Sequence, residues 1–243
     1  MKKWFAFALI PFLLACTLLN DDWKELDLNA FKISIPKKWI YKEERGLDSF
    51  IGRLVISQKT SLSFDFSDRG YASNILDAEQ EYILKKEWMR ECYFCKLGIN
   101  YTTESNLKQA KIDIMKTLGE TDSSKVKLEP FPVYKVKFVR KSNESEKVKY
   151  PKADYVAEVI YKDSIVYIPI EIPAKIKMHS ILIDTTDKYI IKTIWPKTPV
   201  KGITGIYIKG RNSNVTFNLV GFGLSAADQE LALKAFKTIR IKE

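Results

Sequence analysis

The chain has 243 residues, 46% of them hydrophobic and 12% aromatic, with a formal net charge of +10. That is enough apolar material for one large or two small packed domains, and it excludes a disordered chain. The lysine surplus suits an anionic membrane or polyanion, but the lysines are interleaved with acids in no sustained basic run, so a solvated surface is the expected reading, and with no nucleic-acid motif no nucleic-acid partner is expected.

At the start, Lys2 and Lys3 precede the apolar run Trp4 to Ala15, interrupted only by Pro11. This is the layout of a signal peptide over residues 1–15. The run is too short for a spanning helix, even extended through Leu19. The motif Leu13-Leu14-Ala15-Cys16 resembles the lipobox of bacterial lipoproteins, in which the chain is cleaved before a cysteine that carries the lipid. The resemblance implies acylation of Cys16, with palmitate-type chains, and anchoring in a membrane, since several chains give stable attachment where one is marginal. Leu14 departs from the commoner Ala, Ser or Thr; the other reading is ordinary secretory cleavage with Cys16 as a thiol. Thr17 is not the Asp that retains lipoproteins at the inner membrane, so the same resemblance implies the outer membrane. Asn20-Asp21-Asp22-Trp23 is similar to an acidic tether signal for surface export, or is a solvated linker. Residues 16–27 are thus expected to be a lipidated tether, with the membrane face undecided. Cleavage leaves 228 residues with a charge of +8.

Phe31-Lys-Ile-Ser-Ile-Pro36 alternates apolar and polar residues and stops at proline, as a half-buried strand does. Ser49 to Ser57 and Ser61 to Phe66 form an expected hairpin. Ile75 to Trp88 carries a weak helical rhythm through Ile75, Ala78, Tyr82, Leu84 and Trp88. Cys92 and Cys95 follow it. Acylation of Cys16 leaves these two as an even pair, and export allows them a disulfide. Free thiols, a redox pair and a metal half-site are the other readings. The redox reading lacks a strand before the motif, and the metal reading lacks ligands, because His179 is the sole histidine and no second CxxC exists. Glu104 to Lys111 is either a turn or a helix start.

Further strands are expected at Val133 to Arg140, Tyr155 to Tyr161, Ile165 to Ile172, Lys188 to Trp195, Gly205 to Lys209 and Val215 to Val220, separated by turn residues. Lys141 to Lys149 is expected to be a hairpin excursion. Ser225 and Asp228 resemble a capping box, followed by Leu224, Ala227, Leu231, Ala235 and Ile239 at helical spacing. Half-exposed strands with a few amphipathic helices imply an α+β fold in which helices flank an antiparallel sheet. A single domain is expected over residues 28–243.

Three stretches then carry a family resemblance: Phe31-x-Ile-x-Ile-Pro36-x-x-Trp39; Gly46-x-Asp48-Ser49-Phe50-x-Gly52 with Leu62-x-Phe64-Asp65-Phe66; and Gly202 to Ile208 with Phe217 to Gly221 and Lys234 to Ile239. Together they look like a group of uncharacterised bacterial lipoproteins with a PsbP-like domain. Phe66-Ser67 stands where such proteins often have Tyr-Gly, and residues 85 to 200 are not covered.

Trp39, Asp48, Ser49 and Asp65 are the candidate ligand or turn residues. Trp39 is expected to seal the core, with ligand stacking as its alternative. Asp48 and Ser49 either cap a turn or join Asp65 and Tyr71 in a polar pocket. The glycines suit turns and bends, since no phosphate-cradling loop surrounds them. His179 lacks a nucleophile elbow, and no catalytic set, metal site or cofactor is implied. The leading expectation is a lipid-tethered, non-catalytic binding or accessory protein that takes an envelope protein or a small ligand. The rival is an envelope hydrolase with paired carboxylates in a cleft; a thiol oxidoreductase is the third reading.

Overall fold

The computed structural model describes residues 22–89, 100–130, 135–161 and 164–242. Cys16, Cys92 and Cys95 lie outside them, and with them the expected acylation and disulfide. In chain order the first segment holds β1 (Trp23–Asp27), β2 (Phe31–Pro36), β3 (Ile40–Glu43), β4 (Phe50–Val55) and β5 (Ser61–Ser67). Next come α1 (Glu79–Lys85), β6 (Asn100–Thr102), α2 (Leu107–Leu118), β7 (Leu128–Pro130), β8 (Lys135–Lys141), α3 (Glu144–Lys149), β9 (Tyr155–Tyr161), β10 (Ser164–Ile170) and α4 (Ala174–Lys177). The last segment holds β11 (His179–Thr185), β12 (Tyr189–Pro196), β13 (Ile203–Gly210), β14 (Thr216–Phe222), α5 (Ala226–Phe236) and β15 (Arg240–Ile241). The class is α+β with mostly antiparallel sheet, and contacts group the chain into two compact units. Unit 1 comprises residues up to Ile75 together with His179 onward; unit 2 is Leu76–Met178.

Unit 1 contains an antiparallel seven-stranded sheet in the order β11-β12-β13-β14-β5-β4-β3 and a three-stranded sheet in the order β1-β2-β15. The alternation of β2 turns Phe31, Ile33 and Ile35 inward, each 0% exposed. Phe31 meets Phe64 of β5 edge-on, with centroids 5.1 Å apart, and Phe217 of β14 at 4.7 Å. This aromatic contact joins β2 to the large sheet, in a geometry that aromatic pairs favour. Gly52 lets β4 lie beneath it: a Cβ there would fall 2.6 Å from the Phe64 ring. The helix α5 buries Ala232, Ala235 and Phe236 in the same core.

Ser225 caps α5, its hydroxyl accepting the Asp228 amide at 3.1 Å. The expected apolar face is displaced, however, because Ala227 is exposed and Ala232 takes its place in the core. The expected helix from Ile75 is also shorter. Ala78 is the N-cap of α1, the residue that ends it, Lys86, has φ 55°, and a single 3-10 turn at Glu87–Met89 carries Trp88.

Unit 2 holds the antiparallel sheet β10-β9-β8 and a short parallel pair, β6 and β7. Lys141 to Lys149 lies in the connection between the antiparallel neighbours β8 and β9, as expected of a hairpin excursion, but it carries a helix. After β8 the chain forms α3, because Asn143 accepts the Glu146 amide at 2.9 Å while the Glu146 carboxylate accepts the Asn143 amide at 3.0 Å, a reciprocal cap that starts a helix. The Glu104 stretch becomes a 3-10 turn leading into α2. Among the described residues no helix is long and apolar enough to cross a membrane.

Candidate functional site

The Trp23–Asp27 stretch, expected as tether, is a strand. It pairs with β2 in the register Trp23↔Pro36, Glu25↔Ser34 and Asp27↔Lys32, so these pairs share one face. The other edge of β2 is covered in steps. β15 pairs with Phe31 and Lys32, and at Ser34 the Thr238 hydroxyl takes over, accepting the Ser34 amide at 2.8 Å. At Pro36 there is no N–H to satisfy, so the edge can stay open without leaving a buried donor unpaired.

An open groove of about 900 Å³ lies at this end of unit 1. Its apolar lining is Trp23, Pro36 and Leu231; Ser34 and Thr238 are its neutral polar groups. Its charged lining is Lys37, Lys38, Lys234 and a single carboxylate, Asp22. The turn Pro36-Lys37-Lys38-Trp39 sets the two lysines in place. The Pro36 carbonyl accepts the Trp39 amide at 2.9 Å, and the Lys37 amide donates to the Asp22 carbonyl at 2.7 Å. Trp39 therefore turns into the core while Lys37 and Lys38 point to solvent. Lys234 pairs with Glu230 one helical turn earlier, at 2.8 Å, and this pairing lowers the Glu230 carboxyl below its ordinary value.

The sequence-predicted residues do not line the groove. Trp39 is 0% exposed, and its Nε1 has no hydrogen-bond partner among the described residues. Asp48 is exposed and Ser49 half-buried in the loop between β3 and β4. Asp65 lies mid-strand in β5, level with Ile51 on one side and Asn218 on the other. Among the described residues no hydrogen bond joins it to Asp48, Ser49 or Tyr71, and its Oδ1 is buried without a partner. The segment around Ser73 and Asn74 approaches the same region: Asn218 Nδ2 donates to the Ser73 carbonyl at 3.0 Å, and the buried Lys192 donates to Asn74 Oδ1 at 3.0 Å. His179 is buried, and its Nε2 accepts the Ile203 amide at 2.9 Å. That occupied lone pair suits a structural histidine better than a base.

The groove was missed because its parts are distant in sequence. Asp22 and Trp23 fall in the expected tether, Lys37 and Lys38 just past the Pro36 end of β2, and Lys234 on α5. The one available signal was Pro36 followed by two lysines and a tryptophan, which predicts a turn with outward charges. Among the described residues no cluster of His, Cys, Asp and Glu could hold a metal. No family model and no characterised relative matches the chain.

Proposed function

We propose that the protein is a lipid-anchored lipoprotein of the bacterial cell envelope, acylated on Cys16 and delivered to the outer membrane, where unit 1 binds a ligand or an envelope partner without performing chemistry. The signal-peptide layout and the Leu13 to Cys16 motif support the anchor. The carrying observation is the groove: its first lining residues, Asp22 and Trp23, follow Cys16 by only six and seven positions. A binding site so near the anchor suits a protein that works at a membrane surface. We also propose kinship with PsbP-like lipoproteins, supported by the β2 strand, the Pro36 to Trp39 turn, the β4–β5 hairpin and the α5 helix on the core.

The hydrolase reading needs two carboxylates facing each other across a cleft. The groove supplies Asp22 alone, surrounded by lysines, which favours binding. Intact mass measurement of the native protein from envelope fractions tests the proposal. The expected result is a chain beginning at Cys16 with added acyl mass, and loss of membrane association in Cys16→Ser. An uncleaved start, or an unmodified Cys16 thiol, overturns it.

A further inference from the structure

We propose that the groove is the face by which unit 1 docks on an anionic bilayer, with acidic lipid headgroups received between Lys37, Lys38 and Lys234. This rests on the lipid-anchored reading and adds a specific contact to it. Reach comes first. Six residue steps separate Cys16 from Asp22, and an extended chain spans at most about 3.6 Å per residue, so the groove can lie no more than about 22 Å from an acylated Cys16. Any bilayer that holds the anchor is within range of this end of the unit.

Charge and composition then select the surface. Three of the four charged lining residues are lysines. Lys37 and Lys38 are exposed and have no ion pair among the described residues. The Lys234–Glu230 pair is exposed on both sides, at 58% and 69%, so water screens it and a phosphate can compete for the ammonium. Between these cations lie Trp23, Pro36 and Leu231. Tryptophan is a preferred residue at headgroup depth, and an apolar floor with a basic rim is the composition of interfacial surfaces that bind acidic lipids. Pro36 adds that no backbone donor on this edge of β2 loses water when a headgroup settles there.

The test uses the native acylated chain reconstituted in vesicles of phosphatidylcholine alone and of phosphatidylcholine with phosphatidylglycerol. Amine-reactive labelling followed by mass spectrometry reads each lysine. Lys37, Lys38 and Lys234 are expected to lose reactivity several-fold in the anionic vesicles at low salt and to regain it at high salt, while exposed Lys59 and Lys209, outside the groove, stay constant. In Lys37→Glu/Lys38→Glu the protection of Lys234 should disappear, with an unchanged melting curve showing that the fold survives. Equal labelling in both kinds of vesicle overturns the proposal, as does protection of Lys234 that persists in the double variant. Soluble polyphosphate protecting the three lysines as well as vesicles do also overturns it, in favour of a general polyanion site. Flotation with neutral vesicles reports the anchor separately. A chain that floats with both vesicle types but shows no lipid-dependent protection retains the anchor and loses the docking face, whereas one that fails to float with neutral vesicles yet is protected by anionic ones loses the anchor alone.

Discussion

The two units hold their helices in different ways. In unit 1, α5 buries Ala232, Ala235 and Phe236 in a core shared with strands far away in the chain. In unit 2, neither α2 nor α3 buries a single residue. α2 stops at Gly119 with φ 63°, and α3 is begun by the reciprocal cap of Asn143 and Glu146 and braced by Arg140, whose guanidinium donates to both Glu146 oxygens. Short helices are marginal without tertiary packing. Unit 1 thus depends on long-range apolar contacts, while α2 and α3 of unit 2 depend on polar contacts made within a few residues. Damage to unit 1 should spread, and damage to α2 or α3 should stay local.

The sharpest way to break this contrast is Trp39→Ala. A fully buried indole at the end of β2 is removed, and a loss of about 3–5 kcal/mol is expected in chemical denaturation. Trp39→Phe should cost much less, because it keeps most of the volume and removes the unpaired Nε1 donor. Equal losses for the two would show that the ring volume does not hold unit 1 together. Gly202→Ala comes next. A Cβ at that position would meet His179 Nε2 at 2.5 Å and Pro196 at 3.1 Å, so His179 must move away from the Ile203 amide. About 1–3 kcal/mol is expected, with Gly202→Ala/His179→Ala recovering part of it. No recovery would place the strain elsewhere.

These elements differ in how visible they are in the sequence. β2 and the β4–β5 hairpin could be read from alternation because one face of each is more deeply buried than the other. β11 escaped: Ile181-Leu182-Ile183 does not alternate, and at the edge of the sheet Leu182 and Ile183 stay 59% and 43% exposed. β1 escaped because Trp23 to Asp27 is polar enough to resemble a linker, and its strand state is imposed by pairing with β2. The α3 signal, Asn143-x-x-Glu146, was present but lacked the apolar run that makes such a cap conspicuous. The groove joins residues about two hundred positions apart, and only the packing of α5 along β2 brings them together. Fold class is written in local periodicity; this site is written in topology.

A smaller effect examines the local side of the contrast. Asn143→Ala should cost α3 about 1 kcal/mol, seen as faster amide exchange at Glu144–Lys149 with exchange in β2 and α5 unchanged. Slowed or accelerated exchange in α5 would break the expected independence. The Glu146 carboxyl is held below its ordinary value, chiefly by Arg140 and then by the Asn143 amide. Its contribution is therefore present above the ordinary glutamate value and lost as pH falls through the depressed one, so acid should fray α3 in the same pattern as the substitution.

The smallest expected effect appears in alkali. In unit 2 the Tyr155 hydroxyl donates to the Glu79 carboxylate, tying β9 to the first turn of α1. Burial first, and Glu79 second, push the phenol from its ordinary value of 10 up to about 12. The folded unit therefore favours the neutral phenol, and the resulting stabilisation is complete below pH 10 and is lost as pH rises through about 12. Tyr41 in unit 1 is also raised, by burial and then by Glu43, so both units acquire an alkaline slope. Lysines titrate in the same range, and the difference between wild type and Tyr155→Phe isolates the phenol. Exchange at Glu79–Lys85 should accelerate with alkali in the wild type and show a shallower pH dependence in the variant, with unit 1 following one curve in both. If the two proteins instead lose α1 in parallel, the Tyr155–Glu79 contact contributes nothing to holding α1.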